Sequence, residues 1–215
     1  MDEQSLAGEK EVEATVLTVF TIGHSNHSLE RFFELLETQR IEVLVDVRSQ
    51  PYSKYTTHFN KADLKAAVVA QGLKYLFLGR ELGGRPDPNS AGLYNETDGR
   101  VDYNQVAESP LFIEGLERLL KGLEKFRVAL MCSEEKPGIC HRYLLLGRVL
   151  ARQGVQVWHI RGDGSVQSQS QVSNQAEGGD PDYIQNKLIP DEEITEWKST
   201  RPVLPKKQRH NFSGH

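Results

Sequence analysis

Residues 128–160, VALMCSEEKPGICHRYLLLGRVLARQGVQVWHI, decide the fold. VALM (Val128 to Met131) and VQVWHI (Val155 to Ile160) are short apolar runs of the kind that predicts strands. Between them the chain from about Cys140 to Gln153 reads as a helix closed by Gly154, because glycine accepts the left-handed backbone that follows a helix end. Strand, loop, helix, tight turn and strand make one βαβ unit, whose two strands run parallel.

Working outward, VLTVFTI (Val16 to Ile22), VLVDV (Val43 to Val47) and YLFL (Tyr75 to Leu78) predict three more strands. Leu29, Phe32, Phe33 and Leu36 follow the i, i+3, i+4, i+7 spacing of a helix face, and Leu116, Leu119, Leu120 and Leu123 repeat it. A further helix is expected from Lys61 to Gln71, stopped by Gly72. Strands alternating with helices predict a single α/β domain, a mainly parallel sheet flanked by helices in three layers, Rossmann-like or rhodanese-like. The expected boundaries are a flexible amino-terminal segment (1–13), the α/β domain (14–165) and a polar, partly disordered carboxy-terminal tail (166–215).

Composition narrows the function classes without choosing one. At 215 residues, 38% hydrophobic and 26% charged, the chain can bury a substantial single core. A formal net charge of -4 argues against a generally basic nucleic-acid surface, although a local patch can still form. No apolar run approaches the roughly 20 residues that span a bilayer, and the acidic start MDEQSLAGEKEVEA is unlike a signal peptide, so a cytoplasmic protein with no membrane partner is expected. The two cysteines, Cys132 and Cys140, fall in one short segment and are expected to be reduced thiols serving a local site. Arg80 to Glu108 lacks a sustained period and reads as a lid, an ordered substrate loop or a plain insertion. After Gly164 comes QSQSQVSNQAEGGDPD, a polar linker or tail, and the end carries Lys198, Arg201, Lys206, Lys207 and Arg209 with Trp197 as its large anchor: a solvated tail or a partner-binding arm.

In parallel α/β folds, ligands gather where strands end and helices begin. Four loops at such positions hold the unusual residues: GHSNHS (Gly23 to Ser28), DVRSQPYSKY (Asp46 to Tyr55), GRELGGRP (Gly79 to Pro86) and CSEEKPGICHR (Cys132 to Arg142). Asp46 and Arg48, two apart on a strand, point to one face; Arg48 is then either an anion clamp steadied by Asp46 or half of a salt bridge that satisfies the strand end. Arg142, in the first turn of a helix where a cation is disfavoured, implies an anionic ligand or nearby acids such as Glu134 and Glu135. The same helix terminus would favour thiolate at Cys140 and, less strongly, at Cys132; inert buried thiols are the alternative. His24 and His141 are candidate acid–base groups, with Ser25 as a hydrogen-bond donor and Arg85 as a further anion contact. His159 and Asp163 are weaker candidates. Nine residues separate Cys132 from Arg142, unlike the short Cys-to-Arg cradles of phosphatases and rhodaneses. Cys132, Cys140, His141 and His24 could supply four zinc ligands, but the paired CxxC spacing is missing, so zinc is not favoured, no metal ligand is assigned and the cofactor is left unknown.

The ordered set TIGHS (Thr21 to Ser25), DVRSQPYSKY, LGRELGGRP, MCSEEKPGICHR and HIRGDG (His159 to Gly164) resembles the bacterial and archaeal family called domain of unknown function 488, over roughly Thr18 to Ser165. The resemblance implies that Gly23, His24, Ser25, Asp46, Arg48, Pro51, Ser53, Gly83, Gly84, Arg85, Cys132, Glu134, Cys140, His141, Arg142 and His159 are family motif positions. It implies no established reaction. The residues themselves point to a hydrolase or transferase acting on a small phosphorylated or nucleotide-like anion through Cys132, His24 and His141, with Arg48 and Arg142 binding the anion. The rivals are a nucleic-acid module, in which Arg48, Lys54, Arg80 and Arg85 meet phosphates and Tyr52 or Tyr55 stacks on a base, and a zinc- or thiol-based regulatory domain.

Overall fold

The computed structural model describes residues 16–90, 92–174 and 197–204. Residues 1–13, expected to be flexible, lie outside the described residues, as does most of the expected tail. Five parallel strands form where the apolar runs predict them: β1 (Thr18–Gly23), β2 (Val43–Asp46), β3 (Lys74–Phe77), β4 (Val128–Cys132) and β5 (Gln156–Ile160). A sixth, β6 (Val166–Ser168), pairs antiparallel with β5, giving the order β3-β2-β4-β1-β5-β6. The architecture is the expected α/β sheet, mostly parallel, with one antiparallel edge pair.

Side chains alternate between two cores because the strand period is two. Phe20, Ile22, Leu44, Ala129, Met131 and Ile160 face α1 (Leu29–Thr38) and α2 (Lys61–Ala70). Val19, Val43, Val45, Leu130 and Val157 face the opposite layer, which holds α3 (Tyr103–Glu108), α4 (Pro110–Leu123) and α5 (Arg148–Arg152). Helix starts follow the sequence: Ser28 Oγ accepts from Arg31 N–H ahead of α1, and Ser109 Oγ accepts from Phe112 N–H with Pro110 in the first turn of α4. Gly72 (φ 77°) and Gly154 (φ 79°) stop their helices as expected.

Three regions depart from the sequence reading. The helix expected from Cys140 to Gln153 starts as a π-helical turn, Arg142–Gly147, before it becomes α5. The wider turn buries six consecutive residues, and Gly147 lies where a Cβ would meet the Gln169 side-chain oxygen at 2.3 Å. The sheet also continues past residue 165, because β6 and α6 (Gln169–Asn174) fold back on β5 through backbone pairing and a Gln169 bond to His159. Residues 197–204, expected in a solvated tail, instead cross the long loop: Tyr103 N–H donates to Trp197 O (2.8 Å), Ser199 N–H to Val101 O (2.9 Å), and the buried Trp197 indole to Leu144 O. That loop, Arg80 to Glu108, is ordered in its described residues by a Tyr94–Val101 bridge and by α3.

Candidate active site

Strand order brings three distant segments together. β4 lies between β2 and β1, so the residues after these strands emerge side by side at the carboxyl edge. The ladder continues past the strand ends: His24 N–H donates to Cys132 O (2.9 Å), Ser25 N–H to Ser133 O (2.9 Å), and Val47 N–H to Met131 O (3.1 Å). Gly23 permits this approach, since a Cβ there would stand 2.0 Å from Glu134 O.

Asp46 and Arg48 form a fully engaged buried pair. Asp46, 0% exposed, accepts from Arg48 Nη2 (2.7 Å), Arg48 Nε (2.9 Å) and Tyr75 OH (2.8 Å). Arg48 also donates to Phe59 O (2.8 Å) and to His24 Nε2 (3.1 Å). His24 Nδ1 in turn donates to Ser25 O (2.9 Å), while its ring stacks on Phe59 at 4.4 Å. Ser25 adopts a left-handed φ of 46° in this turn. Arg48 forms the salt bridge of one sequence alternative, and it also lines a cavity.

That cavity, about 300 Å³, is also lined by Ser49, Arg85, Cys132, Glu134, His141 and Arg201, among others. Cys132, from the end of β4, and Cys140 and His141, from the start of the π-turn, meet at its inner wall. Cys132 Sγ is 3.6 Å and Cys140 Sγ 3.7 Å from His141 Nδ1. His141 Nε2 lies 3.2 Å from Val47 O, which can only accept, so Nε2 bears a proton and Nδ1 faces both sulfurs. Gly84 makes room for the ring; a Cβ there would stand 2.6 Å from His141 Cγ.

The two thiols are shifted in opposite directions. The Cys132 thiol is held well below its ordinary range by a hydrogen bond from Cys140, assisted by the neighbouring His141 and Arg142. Burial and the adjacent Cys132 push Cys140 upward, so Cys140 is the donor and Cys132 has the thiolate character. Cys132 is 8% exposed, at the cavity wall.

Arg142 does not reach the cavity. It is 0% exposed and donates from Nη2 to the backbone carbonyls of Glu134 (2.9 Å) and Glu135 and from Nη1 to Thr21 Oγ1 (3.2 Å). Carbonyls, rather than the expected carboxylates, receive its charge, and no described carboxylate pairs with it. Its contribution at the site is a positive charge behind the two sulfurs. Ser25 is likewise outside the cavity lining, as is His24, which braces Arg48. Arg85 is an exposed cavity residue whose backbone N–H donates to Ser49 Oγ (2.9 Å), and Glu134 is exposed at the rim. His159 is a core residue: Thr21 Oγ1 (2.7 Å) and Gln169 Oε1 (2.9 Å) satisfy its two nitrogens. Asp163 is exposed and accepts from Ser165 N–H in a turn. Sequence reasoning missed Arg201, Thr200 and Tyr103 as cavity residues; the signal was Trp197, a large apolar residue that needs a place to bury.

Burial sets a pH dependence. Desolvation, with Arg48 beside it, lowers His24 to about 4, and desolvation, with Arg142 nearby, lowers His159 to about 3, from an ordinary 6.5. The unfolded chain binds protons at these positions first, so stability is full above pH 6.5 and falls as the pH drops towards 4 for His24 and 3 for His159. Each histidine is expected to contribute a slope of about 1.4 kcal/mol per pH unit in its window. Thermal melts from pH 7 to 4 should show it, and His159→Asn should flatten the curve whatever its effect at neutral pH.

The family model for the domain of unknown function DUF488 matches residues 28–149, more than half of the chain. The chain belongs to this family. The match takes in Asp46, Arg48, Gly84, Arg85 and the whole Cys132–Arg142 segment, so the cavity's inner wall lies within the DUF488 domain, while Arg201 comes from outside it. No curated protein and no solved structure matches the chain. No helix among the described residues is long and apolar enough to cross a membrane.

Proposed function

We propose that the cavity is the active site of a hydrolase or transferase acting on a small phosphorylated or nucleotide-like anion. The observation that carries this reading is one cavity lined by Cys132 together with three arginines, Arg48, Arg85 and Arg201, and the lowered Cys132 thiol supports it. Cys132 Sγ would attack the electrophilic atom as the bond to the substrate's leaving group breaks and that group takes up a proton, and water or an acceptor group would then displace the sulfur; the Arg85 and Arg201 side chains would draw the anion in, beside an Arg48 held by Asp46 and His24. His141 Nδ1 is placed to accept the proton that Cys132 and Cys140 share.

Alkylation by a charged and a neutral reagent tests the reading. In chelator-treated protein, iodoacetate and iodoacetamide should both modify Cys132 ahead of Cys140, and inorganic phosphate should slow the reaction. The double variant Arg85→Ala, Arg201→Ala should lose about 10-fold of the iodoacetate rate, with little change for iodoacetamide, because only the anionic reagent feels the guanidinium charge. An unchanged ratio of the two rates would refute the anion site.

A second reading has one observation in its favour. Tyr52 and Tyr55 are 75% and 84% exposed, and Lys54 Nζ lies 5.1 Å from the Tyr55 ring, a combination that suits stacking on a nucleotide base beside a phosphate. Binding of a single-stranded oligonucleotide that weakens steeply with salt and is lost in Tyr52→Ala, Tyr55→Ala would select it.

A further inference from the structure

We propose that Cys132, Cys140 and His141 form a zinc site with three protein ligands and a fourth coordination position that opens into the cavity. The proposal concerns the same cavity as the reading above and names the metal chemistry that its inner wall would hold.

Three donor atoms, two sulfurs and one imidazole nitrogen, lie within 4.8 Å of one another. At zinc bond lengths of about 2.3 Å to sulfur and about 2.05 Å to nitrogen, a tetrahedral centre places sulfur and nitrogen about 3.6 Å apart. The observed separations are 3.6 and 3.7 Å. Near-equality of the two distances is itself informative. A single proton joins one sulfur to the nitrogen, whereas a divalent cation joins both at once.

The imidazole is also set for a metal. Its Nε2–H is held by the Val47 carbonyl, which leaves the Nδ1 lone pair directed at the sulfurs and locks the ring, the usual arrangement behind a ligating histidine. Gly84 beneath the ring and the end of β4 beneath Cys132 make the donor set rigid. Two thiolates and a neutral nitrogen select zinc over calcium or magnesium, which require oxygen donors.

The sequence suggested His24 as a fourth ligand, and the geometry removes it: Nδ1 donates to Ser25 O and Nε2 accepts from Arg48. Three protein ligands with an exchangeable fourth position is the coordination of catalytic rather than structural zinc. All three ligands line the cavity, so water or an anionic substrate group would take that position. The missing CxxC spacing is no obstacle, because the strand end supplies one sulfur and the helix start the other.

Metal loading and covalent attack exclude each other. Zinc takes the Cys132 lone pair that would otherwise form a bond to carbon or phosphorus, and the proton shared by the two sulfurs leaves to solvent as the metal binds. The zinc-loaded cavity would then act through a bound water of lowered pKa, and the metal-free cavity through the thiolate.

The test uses the full chain. One equivalent of zinc should be retained through dialysis and removed by a chelator, and Co(II) added to the stripped protein should give the intense visible bands of a tetrahedral site together with a sulfur-to-cobalt charge-transfer band in the near ultraviolet. Cys140→Ser and His141→Gln should each weaken zinc binding at least about 100-fold, while one equivalent of zinc should protect Cys132 in the wild type from iodoacetamide. Substoichiometric metal, a weak octahedral Co(II) spectrum, or full affinity in folded Cys140→Ser and His141→Gln would overturn the proposal. Should those variants not fold, the wild-type cobalt spectrum and the zinc protection decide it alone. Failure here leaves the iodoacetate preference of the stripped protein untouched, and loss of that preference would refute the anion site while the cobalt spectrum stands.

Discussion

Asp46→Ala is expected to lower the unfolding free energy by about 3–5 kcal/mol, the cost of stranding one member of a buried ion pair. Asp46 has no exposed surface and receives the Arg48 side chain through both oxygens, with Tyr75 OH as a further donor. Its loss leaves the Arg48 guanidinium with a backbone carbonyl and a histidine nitrogen as its remaining partners. Against a total stability of about 5–15 kcal/mol this is a large fraction, and urea titration monitored by circular dichroism would measure it. The double variant Asp46→Leu, Arg48→Met removes both charges and should recover much of the loss. Equal destabilisation by the single and double variants would show that the charge is compensated elsewhere. Arg48 would then be free to act on a ligand without Asp46.

The second large effect is expected at Arg142. Arg142→Met keeps the unbranched apolar stem of the side chain and removes its donors to Glu134 O, Glu135 O and Thr21 Oγ1. Two loop carbonyls left without a strong donor, at about 1–3 kcal/mol each, predict a loss on the order of 3–5 kcal/mol. A second readout separates this scaffold role from a purely mechanical one. Arg142 also helps hold Cys132 low, so the pH midpoint of Cys132 alkylation should rise in Arg142→Met. Arg142→Lys, which keeps the charge but not the planar fork, should restore the midpoint more than the stability. A midpoint unchanged in Arg142→Met would mean that Cys140 and His141 set the thiolate without Arg142.

The Asp46–Arg48 pairing was legible in the sequence, whereas the role of Arg142 was not. An arginine in a first helical turn reads as an anion ligand, because the helix terminus is already positive. In the folded chain the terminus is reshaped by the π-turn, and the guanidinium points back beneath the 133–135 loop. No pattern local to CHR encodes that direction. Arg201 is the reverse case: its surroundings read as a solvated tail, yet Trp197 buries against Leu144 and carries the arginine to the cavity wall.

What the sequence determined by itself is the alternation of apolar strands and amphipathic helices, the glycine stops at Gly72 and Gly154, and the short list of polar residues that follow the strands. These are local properties, legible because side-chain period and helix capping act within a few residues. Tertiary structure alone decided which of those residues meet. Placing β4 between β2 and β1 puts Cys132 beside Val47 and His24 and sets His141 against the Val47 carbonyl, while the path of the 132–141 segment folds its two sulfurs and one imidazole nitrogen to within 4.8 Å of one another. Strand order depends on how two separate cores close on opposite faces of one sheet, a balance over the whole chain that no segment carries within itself.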